Sequence, residues 1–179
     1  ATERNGEAYA ASSSERAAYA EALASRVSEL AGEDPLPSQR RVDEQLAAIA
    51  PPEGDAPISA ERRLRLAVAM TSDAALSSRN ELYPRGLSAE RALRLGAASL
   101  IGPKRLPVKQ LASRIQSRFA SAQPLPDRPE LDALLLKAGL DLVWREAEDG
   151  LQAGFAPPSR GTGFTQHSTS RRRSTTGHA

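Results

Sequence analysis

The chain has 179 residues, 40% hydrophobic and 26% charged, but only 7 aromatic, so its core must be aliphatic, and its Ala- and Leu-rich composition favours helices. It has no cysteine, which excludes disulfides, thiolate catalysis and Cys-ligated metal centres, and its two histidines lie within the last 13 residues, leaving almost no imidazole chemistry. No stretch approaches the roughly 18 consecutive apolar residues that cross a bilayer, and the N-terminus has no basic-then-apolar signal pattern, so a cytoplasmic protein with no membrane contact is expected.

The formal net charge of +2 conceals a segregation. Residues 1–60 hold 5 basic and 11 acidic groups, 61–118 hold 12 and 4, 119–154 hold 3 and 7, and 155–179 hold 4 and 0. The middle of the chain is therefore a candidate anion-binding surface. Arginine outnumbers lysine 21 to 3, which fits forked recognition of phosphate and equally fits a genome that encodes Arg in place of Lys.

In chain order, residues 1–13 are polar and aperiodic and are expected to be disordered. The single methionine is Met70, so the chain begins after initiator removal or is cut from a longer polypeptide, and the ragged polar start favours the second. Residues 14–58 read as a first helix-turn-helix unit: an amphipathic stretch through Leu23 and Val27, an extended Pro35-Leu36-Pro37, then Ser38 capping a second helix. After Ile49 the chain enters Pro51-Pro52-Glu53-Gly54-Asp55, a loop, so this unit is reduced and carries no wing. Residues 59–87 form a connecting helix and turn. Leu64, Ala67, Val68, Ala75 and Leu76 fall on one helical face, Arg62, Arg63 and Arg65 on the other, and Tyr83-Pro84-Arg85-Gly86 turns the chain.

Residues 88–156 form the second unit. Ser88 caps a helix to about Leu100, Gly102-Pro103 stops it, and Arg105-Leu106-Pro107 is extended. Helices follow from Val108 to about Phe119 and from Arg128 to about Ala138, the latter capped by Asp127 and ended by Gly139. Leu140, Leu142 and Trp144 then alternate as a strand, Glu148-Asp149-Gly150 turns, and Leu151 to Phe155 returns. Helix, strand, helix, helix, hairpin is winged-helix order. An internal repeat supports the division: Leu23-Ala24-Ser25-Arg26-Val27 recurs as Leu111-Ala112-Ser113-Arg114-Ile115, and Pro35-Leu36-Pro37-Ser38 as Pro124-Leu125-Pro126-Asp127. Val42, Asp43 and Leu46 likewise match Leu131, Asp132 and Leu135. The expected fold is thus mainly α, with tandem helix-turn-helix or winged-helix-like units joined by a linking helix and one β-hairpin wing. Residues 157–179, rich in Ser, Thr and Arg, form a disordered basic tail.

No catalytic constellation assembles: no Walker loop, no dinucleotide turn, and no histidine before residue 167 to serve as a base. Acidic pairs such as Glu33-Asp34 and Asp43-Glu44 read as solvated faces or helix starts, so no metal, cofactor or small-molecule substrate is expected. The remaining reading is binding. Arg40, Arg41, Arg105, Lys109, Arg114 and Arg118 are the candidate contacts to DNA phosphates, supplemented by Arg91, Arg94 and Lys104. Against ordinary groove reading stands the near-neutral third helix of the second unit, where Arg128 and Lys137 face Asp127, Glu130 and Asp132. The alternative is a protein-interaction scaffold whose arginines answer acids in the same molecule or in a partner. Trp144, Leu131, Leu134 and Leu135 are assigned to the core. Arg171-Arg172-Arg173-Ser174 has the spacing basophilic kinases accept, which makes Ser174 a candidate phosphoacceptor.

Leu82-Tyr83-Pro84-Arg85-Gly86, Ala89-Glu90-Arg91-Ala92-Leu93-Arg94-Leu95, Pro124-Leu125-Pro126-Asp127-Arg128-Pro129-Glu130-Leu131 and Ala138-Gly139-Leu140-Asp141-Leu142-Val143-Trp144 together resemble a known sequence. They are similar to the non-catalytic region of the large serine/threonine protein kinases of bacterial phage-growth-limitation and related BREX anti-phage systems, over about residues 15–158. The kinase motifs themselves, His-Arg-Asp, Asp-Phe-Gly and a glycine-rich nucleotide loop, do not occur in this chain. The resemblance therefore implies an accessory module that helps a defence kinase meet DNA or other phage-defence proteins, with catalysis confined to the parent chain.

Overall fold

The computed structural model describes residues 2–4, 7–9, 14–148 and 150–158. Among them, β1 (Thr2–Arg4) and β2 (Glu7–Tyr9) precede α1 (Ser14–Ala31), α2 (Gln39–Ala47) and α3 (Ala60–Ala69). Next come β3 (Ala74–Leu76), β4 (Leu82–Pro84), α4 (Ala89–Leu100), α5 (Val108–Arg118), α6 (Glu130–Lys137), β5 (Val143–Arg145) and β6 (Gly154–Ala156). The chain is mainly helical, with three small antiparallel ladders. The segment expected to lack order pairs Thr2 with Tyr9 across β1 and β2. Of the expected tail, Pro157 and Pro158 are described, and Ser174 lies outside the described residues.

Helix starts follow the sequence signals closely. Ser38, Ser59 and Ser88 each accept the backbone N–H three residues on at 3.3 Å, opening α2, α3 and α4. Such a cap contributes about 1 kcal/mol. Asp127 does not act in this way. Its side chain caps nothing, its carbonyl accepts the Leu131 N–H at 3.0 Å, and Pro129 stands at the N-cap of α6. Proline's fixed φ and missing donor fit the start of the helix, which moves the boundary two residues past the expected one.

The repeat matches positions that do the same physical work. Leu23 and Val27 in α1, and Leu111 and Ile115 in α5, are all buried, as are Val42 and Leu46 in α2 and Leu131 and Leu135 in α6. These residues build two aliphatic cores. One gathers α1, α2 and α3 through Leu23, Val27, Leu30, Val42, Leu46 and Leu64; the other gathers α4, α5 and α6 through Leu93, Leu100, Leu111, Ile115, Leu131 and Leu135.

Between the cores runs a hairpin the sequence reading did not contain. The apolar run placed on one connecting helix breaks: α3 ends at Ala69, and Ala75 and Leu76 belong to β3. The polar triplet Thr71-Ser72-Asp73 ends the helix, with the Thr71 hydroxyl accepting the Asp73 N–H at 3.2 Å in place of a continuing helical bond. In β3 and β4, Ala74 and Leu82 face the first core while Ala75 and Tyr83, paired across the ladder, face the second. The two-residue alternation of a strand thus gives each core one face of the same hairpin. The hairpin falls within residues 59–87, where a connecting helix and turn were expected, and one of its faces belongs to the α1–α3 core.

Further bonds lock the halves together. The N–H groups of Ser78, Gly86 and Gln123 donate to the carbonyls of Arg118, Ser121 and Leu87 at 3.0, 2.8 and 2.8 Å. Arg91 and Arg94 on α4 reach Asp34 in the α1–α2 connection at 3.3 and 3.8 Å.

In the second half, Leu106 exchanges both backbone hydrogen bonds with Phe155, at 2.8 and 2.9 Å, so the segment between α4 and α5 adds a short third strand to β5 and β6. Trp144 packs edge-on against Phe155 at 5.2 Å and remains half-buried, its other face covered by the Arg128 guanidinium at 4.1 Å. Leu131 and Leu135 are fully buried as expected, and Leu134 is half-buried.

Candidate functional site

The structure sorts the six expected phosphate contacts into two groups. Arg118 is an internal strut. Its Nε and Nη2 donate to Glu81 at 2.7–3.1 Å, its Nη1 donates to the Leu95 carbonyl at 2.8 Å, and its carbon lies 4.9 Å from the Phe119 ring centroid. Only 12% of its side chain is exposed. Arg114 is half-buried and donates to the Ser99 carbonyl at 2.7 Å, tying α5 to the end of α4.

Of the other four, Arg40, Arg41 and Lys109 are exposed and Arg105 is half-buried. Arg40 is 87% exposed and sits 3.5 Å from Glu44 one helical turn on, a pair worth only a few tenths of a kcal/mol. Arg41 donates to Glu33 at 2.8 Å, across the turn that precedes α2. Arg105 donates to the Glu146 carbonyl at 3.0 Å, fastening the short third strand to the hairpin. Lys109 is exposed in the first turn of α5.

That turn has an unusual electrostatic setting. No acidic residue occupies it, and Pro107 at its N-cap provides no side-chain hydrogen bond. The free N–H groups and the positive end of the helix dipole therefore face outward. Lys104, Arg105 and Lys109 fall within six residues of sequence about this end. By contrast, α6 carries Glu130 and Asp132 in its first turn, and Arg128 is engaged by Asp132 at 2.9 Å. Its outer surface exposes Ala133 and Leu136, the latter to 76%.

Elsewhere the arginines are mostly occupied. At least nine form ion pairs with Asp or Glu of the same chain among the described residues. Among the described residues no group of His, Cys, Asp and Glu is placed to hold a metal ion. No described helix is long and apolar enough to cross a membrane.

The sequence reading overlooked Arg79 and Glu81. They sit in the β3–β4 turn, where the Ser77 hydroxyl accepts the N–H groups of Arg79 and Glu81 at 3.1 Å each and donates to the Glu81 carboxylate at 2.8 Å. Burial alone would raise the Glu81 carboxyl. The hydrogen bonds from Arg118 and Ser77 and the charges of Arg118 and Arg79 outweigh it and hold the group below its ordinary value. A carboxyl depressed in the folded state stabilises the fold above its unfolded value, and that contribution disappears as pH falls through the folded one. Acidification below the usual glutamate range is accordingly expected to lower the unfolding temperature. Glu81→Gln should flatten that dependence in thermal scans, and an unchanged slope would remove Glu81 as its source.

The chain is thus mainly helical, with a small hairpin packed against each core and cationic residues near the start of α5. In sequence it is 31% identical over 150 aligned residues to Probable kinase PglW of Streptomyces coelicolor, an alignment covering 73% of this chain and 10% of that protein. Over that stretch the chain is related to the kinase, and it spans about a tenth of its length. No family model matches the chain, and no solved structure matches it.

Proposed function

We propose that this chain is a non-catalytic binding module of a bacterial phage-defence serine/threonine kinase, that residues 88–156 form a winged-helix-type unit, and that it contacts DNA through phosphates. The observation that carries the reading is the N-terminus of α5, uncapped by any side chain, without acid in its first turn and with Lys104, Arg105 and Lys109 next to it in sequence. A helix N-terminus with lysines beside it is an anion site, and in a unit of helix, strand, helix, helix and hairpin it lies where a duplex backbone would run. Arg40 and Arg41 in the first turn of α2 extend the same role to the first unit. Arg114 and Arg118 support the fold behind it. The near-neutral α6 fits backbone contact in place of base reading.

Titration of a fluorescent duplex at several salt concentrations tests this. Binding should weaken steeply with salt, and Lys104→Ala with Lys109→Ala should lower the affinity and reduce the salt slope by about 2. No binding at low salt, or an unchanged slope in the double variant, would overturn DNA contact.

A second reading is a scaffold that docks other defence proteins or the parent kinase. Two observations favour it: the many arginines already matched by local acids, and Leu136 exposed on the outer face of α6. Leu136→Asp should abolish partner capture under this reading and leave duplex affinity intact.

A further inference from the structure

The turn joining β3 to β4, the end of α4 and the second half of α5 enclose a cleft of about 270 Å³ lined by Ser78, Arg79, Ser99, Arg114, Ser117 and Arg118. Three guanidinium groups and three serines converge there, and no carboxylate belongs to the lining. Glu81, in the same turn as Ser78 and Arg79, is engaged by Arg118. The cleft therefore keeps an excess of about two positive charges, with Ser99, Arg114 and Arg118 half-buried at its base and Ser78, Arg79 and Ser117 exposed at its rim.

The donors not used internally point to what would satisfy them. Arg114 gives Nη1 to the Ser99 carbonyl, and among the described residues its Nε and Nη2 have no hydrogen-bond partner. Arg79 sits at the tip of the turn, exposed, and its guanidinium forms no ion pair among the described residues, though its charge is felt by Glu81. The Ser78 hydroxyl likewise has no partner among the described residues, while its N–H anchors the turn to the Arg118 carbonyl. The Ser99 and Ser117 hydroxyls donate to the carbonyls of Gly96 and Arg114, so each must turn away from that bond to donate to an anion. The rims are rigid because Arg118 bridges α4, α5 and the turn.

We infer that this cleft is a binding site for a phosphomonoester carried on a protein side chain. A phosphomonoester has about −1.5 to −2 charge at neutral pH and three acceptor oxygens, which match the excess charge and the forked donors of Arg79 and Arg114. A duplex phosphodiester carries one charge and lies on a convex backbone, which suits the open end of α5 better than a recess. The inference is independent of DNA contact, since it uses none of Lys104, Arg105 and Lys109.

The test is amide NMR of the full chain titrated with inorganic phosphate, with a short neutral peptide containing phosphoserine, and with the same peptide unphosphorylated. Expected are saturable shifts at Ser78, Arg79, Ser99 and Ser117, in the millimolar range for phosphate and about tenfold tighter for the phosphopeptide, with none for the unphosphorylated peptide. Arg79→Ala, an exposed turn residue outside the core, should weaken phosphopeptide binding about tenfold and leave duplex binding unchanged, and Arg114→Gln should weaken phosphopeptide binding by a similar factor. Equal affinity for free phosphate and phosphopeptide would overturn the side-chain assignment. Shifts confined to Val108 and Lys109, or undiminished binding in Arg79→Ala, would overturn the site.

Discussion

Replacement of Tyr83 by Ala is expected to lower stability by about 3–5 kcal/mol, the range for emptying a large aromatic from a core. Tyr83 is fully buried although it lies on a three-residue strand. Its ring meets Phe119 edge-on at 5.3 Å and 79°, and its hydroxyl accepts the Ser121 N–H at 3.0 Å. The same strand places Leu82 in the other core, so Tyr83 is where the α4–α6 core grips a hairpin that the α1–α3 core also holds. Tyr83→Phe separates the polar part of the effect. It keeps the ring and leaves the Ser121 N–H without its acceptor, at about 1–2 kcal/mol. Denaturant unfolding followed by Trp144 fluorescence and by helicity should coincide in the native chain and separate in Tyr83→Ala, because the shared hairpin couples the two cores. Coincident curves with a loss below about 1 kcal/mol would mean that the halves are coupled elsewhere.

Which parts of this arrangement were legible in the sequence follows from how many residues each signal needs. Helices announce themselves over ten or more positions, and the serines at 38, 59 and 88 mark their starts with a side chain whose only nearby use is a cap. The boundaries of α2, α4 and α5 accordingly fall within a residue or two of expectation. The hairpin of β3 and β4 offers three residues a strand, too few for a period of two to show, and Ala75 and Leu76 fell by accident on the helical face of Leu64 and Ala67. The polar run Thr71-Ser72-Asp73 and the Ser-Ser-Arg-Asn turn, with Asn80 at φ 60°, were the available signals.

The repeat misleads in a related way. Its matched residues pair α1 with α5 and α2 with α6, yet by element order helix, helix, helix, hairpin runs from α1 to β4 and again from α4 to β6. The similarity records which residues face a core, and the order of elements records how each core is closed. The cationic candidates suffered from the same limit. A sequence shows that Arg114 and Arg118 are one turn apart on a helix, but only the turn folded from residues 77–81 shows that a carboxylate waits for one of them.

Gly154→Ala is expected to be the most damaging single-methyl change in the molecule. A Cβ at this position would lie 2.8 Å from the Leu106 carbonyl carbon and 2.9 Å from both the Leu106 oxygen and the Pro107 nitrogen. All three are backbone atoms, so no rotamer relieves the overlap, and β6 must move away from the Leu106 segment. The two hydrogen bonds between Leu106 and Phe155 would be lost, and the cover over the buried Phe155 ring would open. Overpacking together with unmade buried bonds puts the cost at about 3 kcal/mol or more. Gly96→Ala is the control. Its Cβ meets the end of the Ile115 side chain, which can shift, and helix propensity returns up to about 1 kcal/mol, so a net loss below about 1.5 kcal/mol is expected. In thermal scans Gly154→Ala should fall roughly 10 °C and Gly96→Ala only a few degrees. The Leu106 segment also sets the position of Pro107 and hence of the α5 N-terminus, so duplex affinity should fall with Gly154→Ala, below its unfolding temperature, and hold with Gly96→Ala. Unimpaired DNA binding in a destabilised but folded Gly154→Ala would show that the end of α5 is not the contact.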